Sequence, residues 1–197
     1  MTVLPFDVLT LPSVKANPAD RCYSCKQAIF SRILKAAKDD GFSELMDGTN
    51  ASDDAGDRPG MRALREMKVL SPLRLCGVTK KALREYSRSA GLFTWEKPAY
   101  ACLATRVPAG IPLDSDVLSR VEEAETALSL LGFIDFRVRV FPDAAAKETK
   151  NRAWCARIQV TENQLPLLFE KREAVLTRLR ESFSAVLLDL DARIASL

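Results

Sequence analysis

Apolar positions along the chain change rhythm near its middle. In the first half, short apolar runs alternate with segments whose apolar residues recur every three or four positions, the pattern of strands alternating with helices. Phe6 to Leu11 is an apolar run ended by Pro12 and predicts a strand. Asp20 is placed to cap a helix that carries Ala28, Ile29, Ile33, Leu34 and Ala37 inward and that Gly41 ends. Glu44 to Met46 predicts a strand end, a helix with Met61, Leu64 and Met67 follows, and Val69 to Leu73 predicts another brief strand. Thr79 then caps a helix expected to bury Leu83 and Tyr86, with Gly91 just past its end. This alternation favours an α/β layer with parallel strands.

From about Lys97 the pattern differs. Ser115 opens a helix whose apolar residues Val117, Val121, Ala124, Leu128 and Leu131 form one stripe, with Gly132 as the stop. Phe136 to Phe141 and Trp154 to Val160 alternate as two strands across the charged connection Pro142 to Ala153. Leu165 to Phe183 predicts a helix with Pro166 in its first turn, and Ala185 to Leu190 a last strand. Helices segregated from strands predict a small α+β domain. The expected division is therefore 1–98 and 99–197.

Composition narrows the chemistry. With 197 residues, 47% of them hydrophobic and 28% charged, the chain can bury a core as one or two domains. No secretory signal and no apolar stretch near the ~20 residues of a membrane span are recognisable, so a cytoplasmic protein is expected. The net charge of +3 suits anionic small molecules better than bulk nucleic acid. The absence of histidine removes Cys2His2 zinc sites and Ser-His-Asp triads together. Five cysteines, an odd number, argue against a disulfide framework and for reactive or metal-binding thiols.

Cys22 and Cys25 sit three positions apart, so on a helix their Cβ atoms lie about 5–6 Å apart on one face. Arg21 and Lys26 flank them, which favours thiolate. Cys102 can add a third thiol, and three thiolates without a fourth protein ligand suit a 4Fe-4S cluster with one open iron better than a closed zinc site. A redox pair or ordinary buried thiols are the alternatives; Cys76 and Cys155 read as packing residues. Arg137 and Arg139 share one side of a strand, roughly 6.6–7 Å apart, a spacing that can bracket a phosphate or carboxylate or simply form a solvated face. Arg157 has the equivalent place on the next strand. Glu125, at the edge of its helix stripe, either faces a cleft or pairs with an arginine such as Arg137. The loop Asp47 to Asp54, with Asp47, Asn50 and Asp54, suits magnesium, ribose or an amine.

Read together, Asp20-Arg-Cys-Tyr-Ser-Cys-Lys26, Asp47-Gly-Thr-Asn-Ala-Ser-Asp-Asp54, Asp57-Arg-Pro-Gly60, Ser71-Pro-Leu73, Thr79-Lys80, Gly91-Leu92, Lys97-Pro98, Ala101-Cys-Leu-Ala-Thr-Arg106 and Arg137-Val-Arg139 resemble the LarE family, ATP-dependent sulfur transferases of nickel-pincer nucleotide biosynthesis. The resemblance runs from about Phe6 to the C-terminus. It implies an α/β fold: a truncated, Rossmann-like ATP-pyrophosphatase (PP-loop) domain with parallel strands, then the small α+β domain. It also implies that carboxylates of a pyridinium biscarboxylate mononucleotide are adenylated and converted to thiocarboxylates. Cys22, Cys25 and Cys102 match the family's cluster-bearing type, so a three-cysteine 4Fe-4S cluster is expected, with Cys102 a ligand rather than a consumed donor. Arg137 and Arg139 match its substrate-phosphate arginines, and Glu125 matches a catalytic position. Asp47, Asn50, Asp54 and Arg106 are expected to serve ATP and Mg. Homo-oligomers and cofactor-pathway partner proteins are further expectations, with no membrane and no nucleic-acid partner. The family's Ser-Gly-Gly-x-Asp-Ser phosphate loop does not occur in this sequence. The expectation is a fragment or mis-started form that adenylates poorly alone. The alternatives are an iron-sulfur tRNA thiolase and a non-catalytic cluster-binding or partner protein.

Overall fold

The computed structural model describes residues 2–53, 58–144 and 154–194. The chain divides into two compact units, Met1–Lys97 and Pro98–Leu197.

In the first unit the run from Phe6 to Leu11 is not a strand. Asp7 accepts a hydrogen bond from the Leu9 amide at 2.9 Å, a 3-10 turn spans Val8–Thr10, and α1 (Pro12–Lys15) follows. An aspartate heading the run closes a turn on its own backbone, and Pro12 cannot donate to a ladder. Helix α2 (Arg21–Asp39) forms where the pattern predicts it, with Asp20 at its N-cap but making no side-chain cap bond. Its inward stripe is only half covered: no α2 residue is buried, and Ile33 is exposed. Helices α3 (Pro59–Glu66), α4 (Pro72–Leu75) and α5 (Lys80–Ser89) complete the unit. The expected parallel strands shrink to one isolated parallel bridge, Met46↔Leu70. Pro72 starts a helix two residues after that bridge, so the second segment cannot extend. Thr79 caps α5 by accepting from the Ala82 amide, yet Tyr86 is exposed rather than buried, and Cys76 is exposed too.

Helix α3 packs on α2 beside the cysteine pair. A Cβ on Gly60 would lie 3.3 Å from Lys26 Cδ and Cε and 3.6 Å from Cys22 Cβ. Tyr23 donates its hydroxyl to Glu66, and the Arg62 guanidinium lies 4.3 Å from the Tyr23 ring centroid. Gly60→Ala is expected to be near neutral in urea unfolding, because up to ~1 kcal/mol of helix propensity offsets the tight contact. Gly60→Leu should cost roughly 1–3 kcal/mol by forcing the helices apart. A Gly60→Leu protein as stable as the parent would show that the approach is not tight.

The second unit is built on a helix and a sheet. The loop from Pro98 leads through a 3-10 turn, Leu103–Arg106, to α6 (Ser115–Leu130). Asp114 caps α6 by accepting from the Asp116 amide at 2.7 Å and the Val117 amide at 3.3 Å. Strands β1 (Arg137–Pro142), β2 (Trp154–Gln159) and β3 (Ala185–Leu188) form a mixed sheet in the order β1-β2-β3, antiparallel then parallel. Its register sets Arg139 directly opposite Arg157. Val117, Val121, Ala124 and Leu128 of α6 are buried, as are Val138, Val140, Ala156 and Ile158 of the sheet. Phe133 and Phe136 meet edge to face, centroids 6.4 Å apart. The expected helix from Leu165 to Phe183 is two helices, α7 (Leu165–Glu170) and α8 (Arg172–Leu179). They break at Lys171, whose amine donates to the Leu131 carbonyl at the C-terminus of α6, a favourable place for a cation. The described fold is mixed α/β, and none of its helices is long and apolar enough to cross a membrane.

Candidate functional site

The second unit gathers a basic cradle around the loop that carries Cys102. Cys102 is exposed at the head of the 3-10 turn, and its carbonyl accepts from both the Thr105 amide (2.9 Å) and the Thr105 hydroxyl (2.7 Å). Arg106 closes the turn and points inward. Its Nε and Nη2 donate to the two oxygens of Glu125 at 2.7 and 3.1 Å, and both residues are only 3% exposed. Glu125 Oε1 also accepts from the Val138 amide at 2.9 Å, which ties α6 to β1. Glu125 therefore pairs with Arg106 and not with Arg137. Two-pronged charge pairing at full burial makes this a strong, geometrically demanding link.

Arg137 is buried and already engaged. It donates to the carbonyl of Phe136 at 2.6 Å and to that of Ala99, and Asp135 lies 3.9 Å away. Arg139 is half-buried and donates to the Thr105 carbonyl at 3.2 Å, with no ion pair among the described residues. Burial first, then Arg106 and Arg193, lowers the Arg137 pKa; burial, Arg106, Arg157 and Arg193 do the same for Arg139. Five guanidiniums (Arg106, Arg137, Arg139, Arg157 and Arg193) thus share Glu125, Asp135 and Asp189 as their acidic neighbours, an excess of positive charge in one place. Such an excess favours an anion.

Tyr100 stands at the mouth of this cradle. The guanidiniums of Arg106 and Arg137 lie 5.4 and 5.7 Å from its ring centroid, within cation–π range. Although Tyr100 is largely exposed, its partial burial and then the neighbouring Glu125 carboxylate push the phenol up to about 12, so it stays protonated at neutral pH. Tyr100, Asp135 and Arg193 are parts of the cradle that pattern reading did not single out. Tyr100 had a signal, lying two residues before Cys102. Asp135 and Arg193 had none, because they meet across 58 residues of sequence: Arg193 donates to the Asp135 carboxylate at 2.8 Å and to its carbonyl at 3.1 Å.

The remaining expected site residues lie in the first unit. Cys22 is exposed and Cys25 half-buried in the first turns of α2, and Arg21 donates to Cys22 Sγ at 3.9 Å. No disulfide joins any of the five cysteines; Cys155 is buried, as expected of a packing residue. Asp47 accepts from the Thr49 hydroxyl and the Ser71 hydroxyl, both at 2.7 Å. Burial opposes the charge of Asp47, but these bonds and the nearby Lys26 outweigh it and lower its pKa. Asn50 is buried, donating to Asp53 at 2.8 Å and accepting from the Ser52 amide at 2.9 Å, so it braces the loop from within. Asp54 lies outside the described residues. Arg106 lies in the second unit, where Glu125 engages it. Among the described residues no group of three or more Cys, His, Asp or Glu is arranged to hold a metal ion. A groove of about 580 Å³ along the C-terminal half of α2 is mostly apolar, and none of the expected site residues lines it.

No protein-family model matches the chain. Among curated proteins, it is 32% identical over 142 residues to pyridinium-3,5-bisthiocarboxylic acid mononucleotide synthase of Lactiplantibacillus plantarum, covering 72% of this chain and 51% of that protein. The chain is similar to a named synthase. Two uncharacterized relatives accompany it. A Synechocystis protein is 38% identical over 128 residues (65% of this chain, 48% of the relative). A Methanocaldococcus jannaschii protein is 25% identical over 189 residues (95% and 69%). The chain spans about half the length of the synthase and of the Synechocystis relative.

Proposed function

We propose that this chain is a cytoplasmic sulfur transferase of the LarE kind, serving the sulfur-delivery half of thiocarboxylate formation on a pyridinium mononucleotide. One observation carries the reading: the match to the synthase covers 72% of this chain, and the chain sets an exposed thiol, Cys102, beside an electropositive cradle suited to a mononucleotide phosphate. In the reaction, hydrosulfide supplied beside Cys102 attacks the carbonyl carbon of an acyl adenylate and gives up its proton to solvent. A C–S bond forms, the C–O bond to the phosphate breaks, and AMP leaves with the electron pair.

Arg139, with Arg137 behind it, binds the substrate phosphate, and Glu125 acts by holding Arg106 rather than by touching substrate. Asp47, Asn50 and Asp54 serve ATP and its magnesium. The thiols fit a 4Fe-4S cluster in chemistry: Cys22 and Cys25 occupy one helical turn, the Arg21 guanidinium lies 3.9 Å from Cys22 Sγ, and Cys102 is exposed. These three cysteines would hold the cluster, which supplies an open iron able to carry sulfide. Homo-oligomers and partners in the cofactor pathway belong to the same proposal.

Anaerobic reconstitution with iron and sulfide is expected to give a broad absorbance near ~400 nm with about one cluster per chain. Cys22→Ala, Cys25→Ala and Cys102→Ala should each abolish it, while Cys76→Ala should not. Full absorbance in all three variants would remove the cluster from the reading.

A further inference from the structure

We propose that Arg137 and Arg139 clamp the two ends of the loop that carries Cys102, so that an anion engaging the same guanidiniums releases the loop and changes the reactivity of the Cys102 thiol. The inference rests on the phosphate-binding role assigned above to these arginines. It adds a coupling that this role does not require.

The geometry is specific. The segment from Ala99 to Arg106 has no place in the sheet; its 3-10 turn is closed by Thr105 donating to the Cys102 carbonyl and by Arg106 donating to the Thr105 hydroxyl, and Ala104 and Arg106 are buried while Ala99 to Cys102 stay exposed. Its N-terminal end is held where Arg137 donates to the Ala99 carbonyl, three residues before Cys102. Its C-terminal end is held where Arg139 donates to the Thr105 carbonyl, three residues after it. Arg137 and Arg139 alternate on one strand, so a single rigid element grips both sides of the cysteine. Arg106 pins the base of the loop to Glu125, leaving the Cys102 stretch between the two clamps exposed.

A phosphate is a stronger acceptor for a guanidinium than a backbone carbonyl, because the hydrogen bond is charge-assisted on both sides. An anion that draws these guanidiniums toward itself therefore competes with the carbonyls of Ala99 and Thr105 for Arg137 Nη2 and Arg139 Nη1. Binding and loop release become linked, and linkage is reciprocal: whatever frees the loop also frees the cradle for an anion. The consequence for a sulfur carrier is order. The thiol loop is held still while the cradle is empty and is released once a phosphate-bearing substrate is in place.

The test measures alkylation of Cys102 by iodoacetamide in the full chain free of iron, peptide by peptide, with inorganic phosphate as the probe and Cys76, also exposed, as the internal reference. Saturating phosphate should change the Cys102 rate about threefold or more relative to Cys76. Arg139→Gln, at a half-buried position, should shift the phosphate-free rate in the same direction and abolish the response, and Arg139→Lys should restore part of it. Arg137→Gln, if it folds, should behave likewise. Phosphate that binds by titration calorimetry yet leaves the Cys102 rate unchanged overturns the clamp and spares the phosphate site. No detectable phosphate binding overturns both. A response that persists in Arg139→Gln overturns the clamp alone.

Discussion

Glu125→Ala is expected to destabilise the second unit by about 3–5 kcal/mol, the cost of leaving a buried guanidinium without its counter-charge. Arg106 and Glu125 are each only 3% exposed, and both guanidinium arms that reach Glu125 would lose their acceptors at once. The Val138 amide would lose its bond to Glu125 as well, loosening β1 from α6. The pair Arg106→Met with Glu125→Leu should recover most of the loss, since two apolar groups of similar volume leave no buried charge behind. Urea unfolding followed by Trp154 fluorescence in a Trp95→Phe background reads both. A single variant costing under ~1 kcal/mol, or a double variant as unstable as the single, would show that the pair is not the keystone of the site.

Cys102→Ser should leave the fold untouched, because Cys102 is exposed and packs against no core, yet it should reduce sulfur transfer to the background rate. The assay presents a chemically prepared acyl adenylate of a pyridinium carboxylate with sulfide under anaerobic conditions and follows the thiocarboxylate by mass spectrometry. Supplying the adenylate separates sulfur delivery from ATP use. Cys76→Ser, equally exposed, should keep the parent rate and serves as the control. If Cys102→Ser transfers sulfur as fast as the parent chain, Cys102 is not where the sulfur is presented.

Pattern reading worked best where one face of an element is buried. The α6 stripe of Val117, Val121, Ala124 and Leu128 and the alternation of β1 and β2 each report a single hydrophobic face, and the structure uses those faces. It failed where a local polar group outbid the pattern. Asp7 turned an apolar run into a 3-10 turn, Pro72 stopped a strand at one bridge, and the expected long helix breaks at Lys171, whose amine meets the end of another helix. At the site, the strand arginines were visible because they alternate on one strand, and the loop cysteine because it is a third thiol to set beside Cys22 and Cys25. The pairing of Glu125 was not, because a carboxylate on the edge of a stripe satisfies several arginines equally well in sequence, and only the packing of the 3-10 turn selects Arg106. Arg193 and Asp135 were invisible for the same reason at greater range.

The register of β1 and β2 sets Arg139 face to face with Arg157, and like charges directly opposed on adjacent strands repel. Asp189, 3.4 Å from Arg157, answers one of them and leaves the other without an ionic partner among the described residues. On this face the sheet is thus one counter-ion short, and under the proposed phosphate-binding role a dianion in the cradle would be that counter-ion. Occupancy and folding stability would then be linked, so phosphate binding on the proposed cradle is expected to raise the stability of the sheet that holds it.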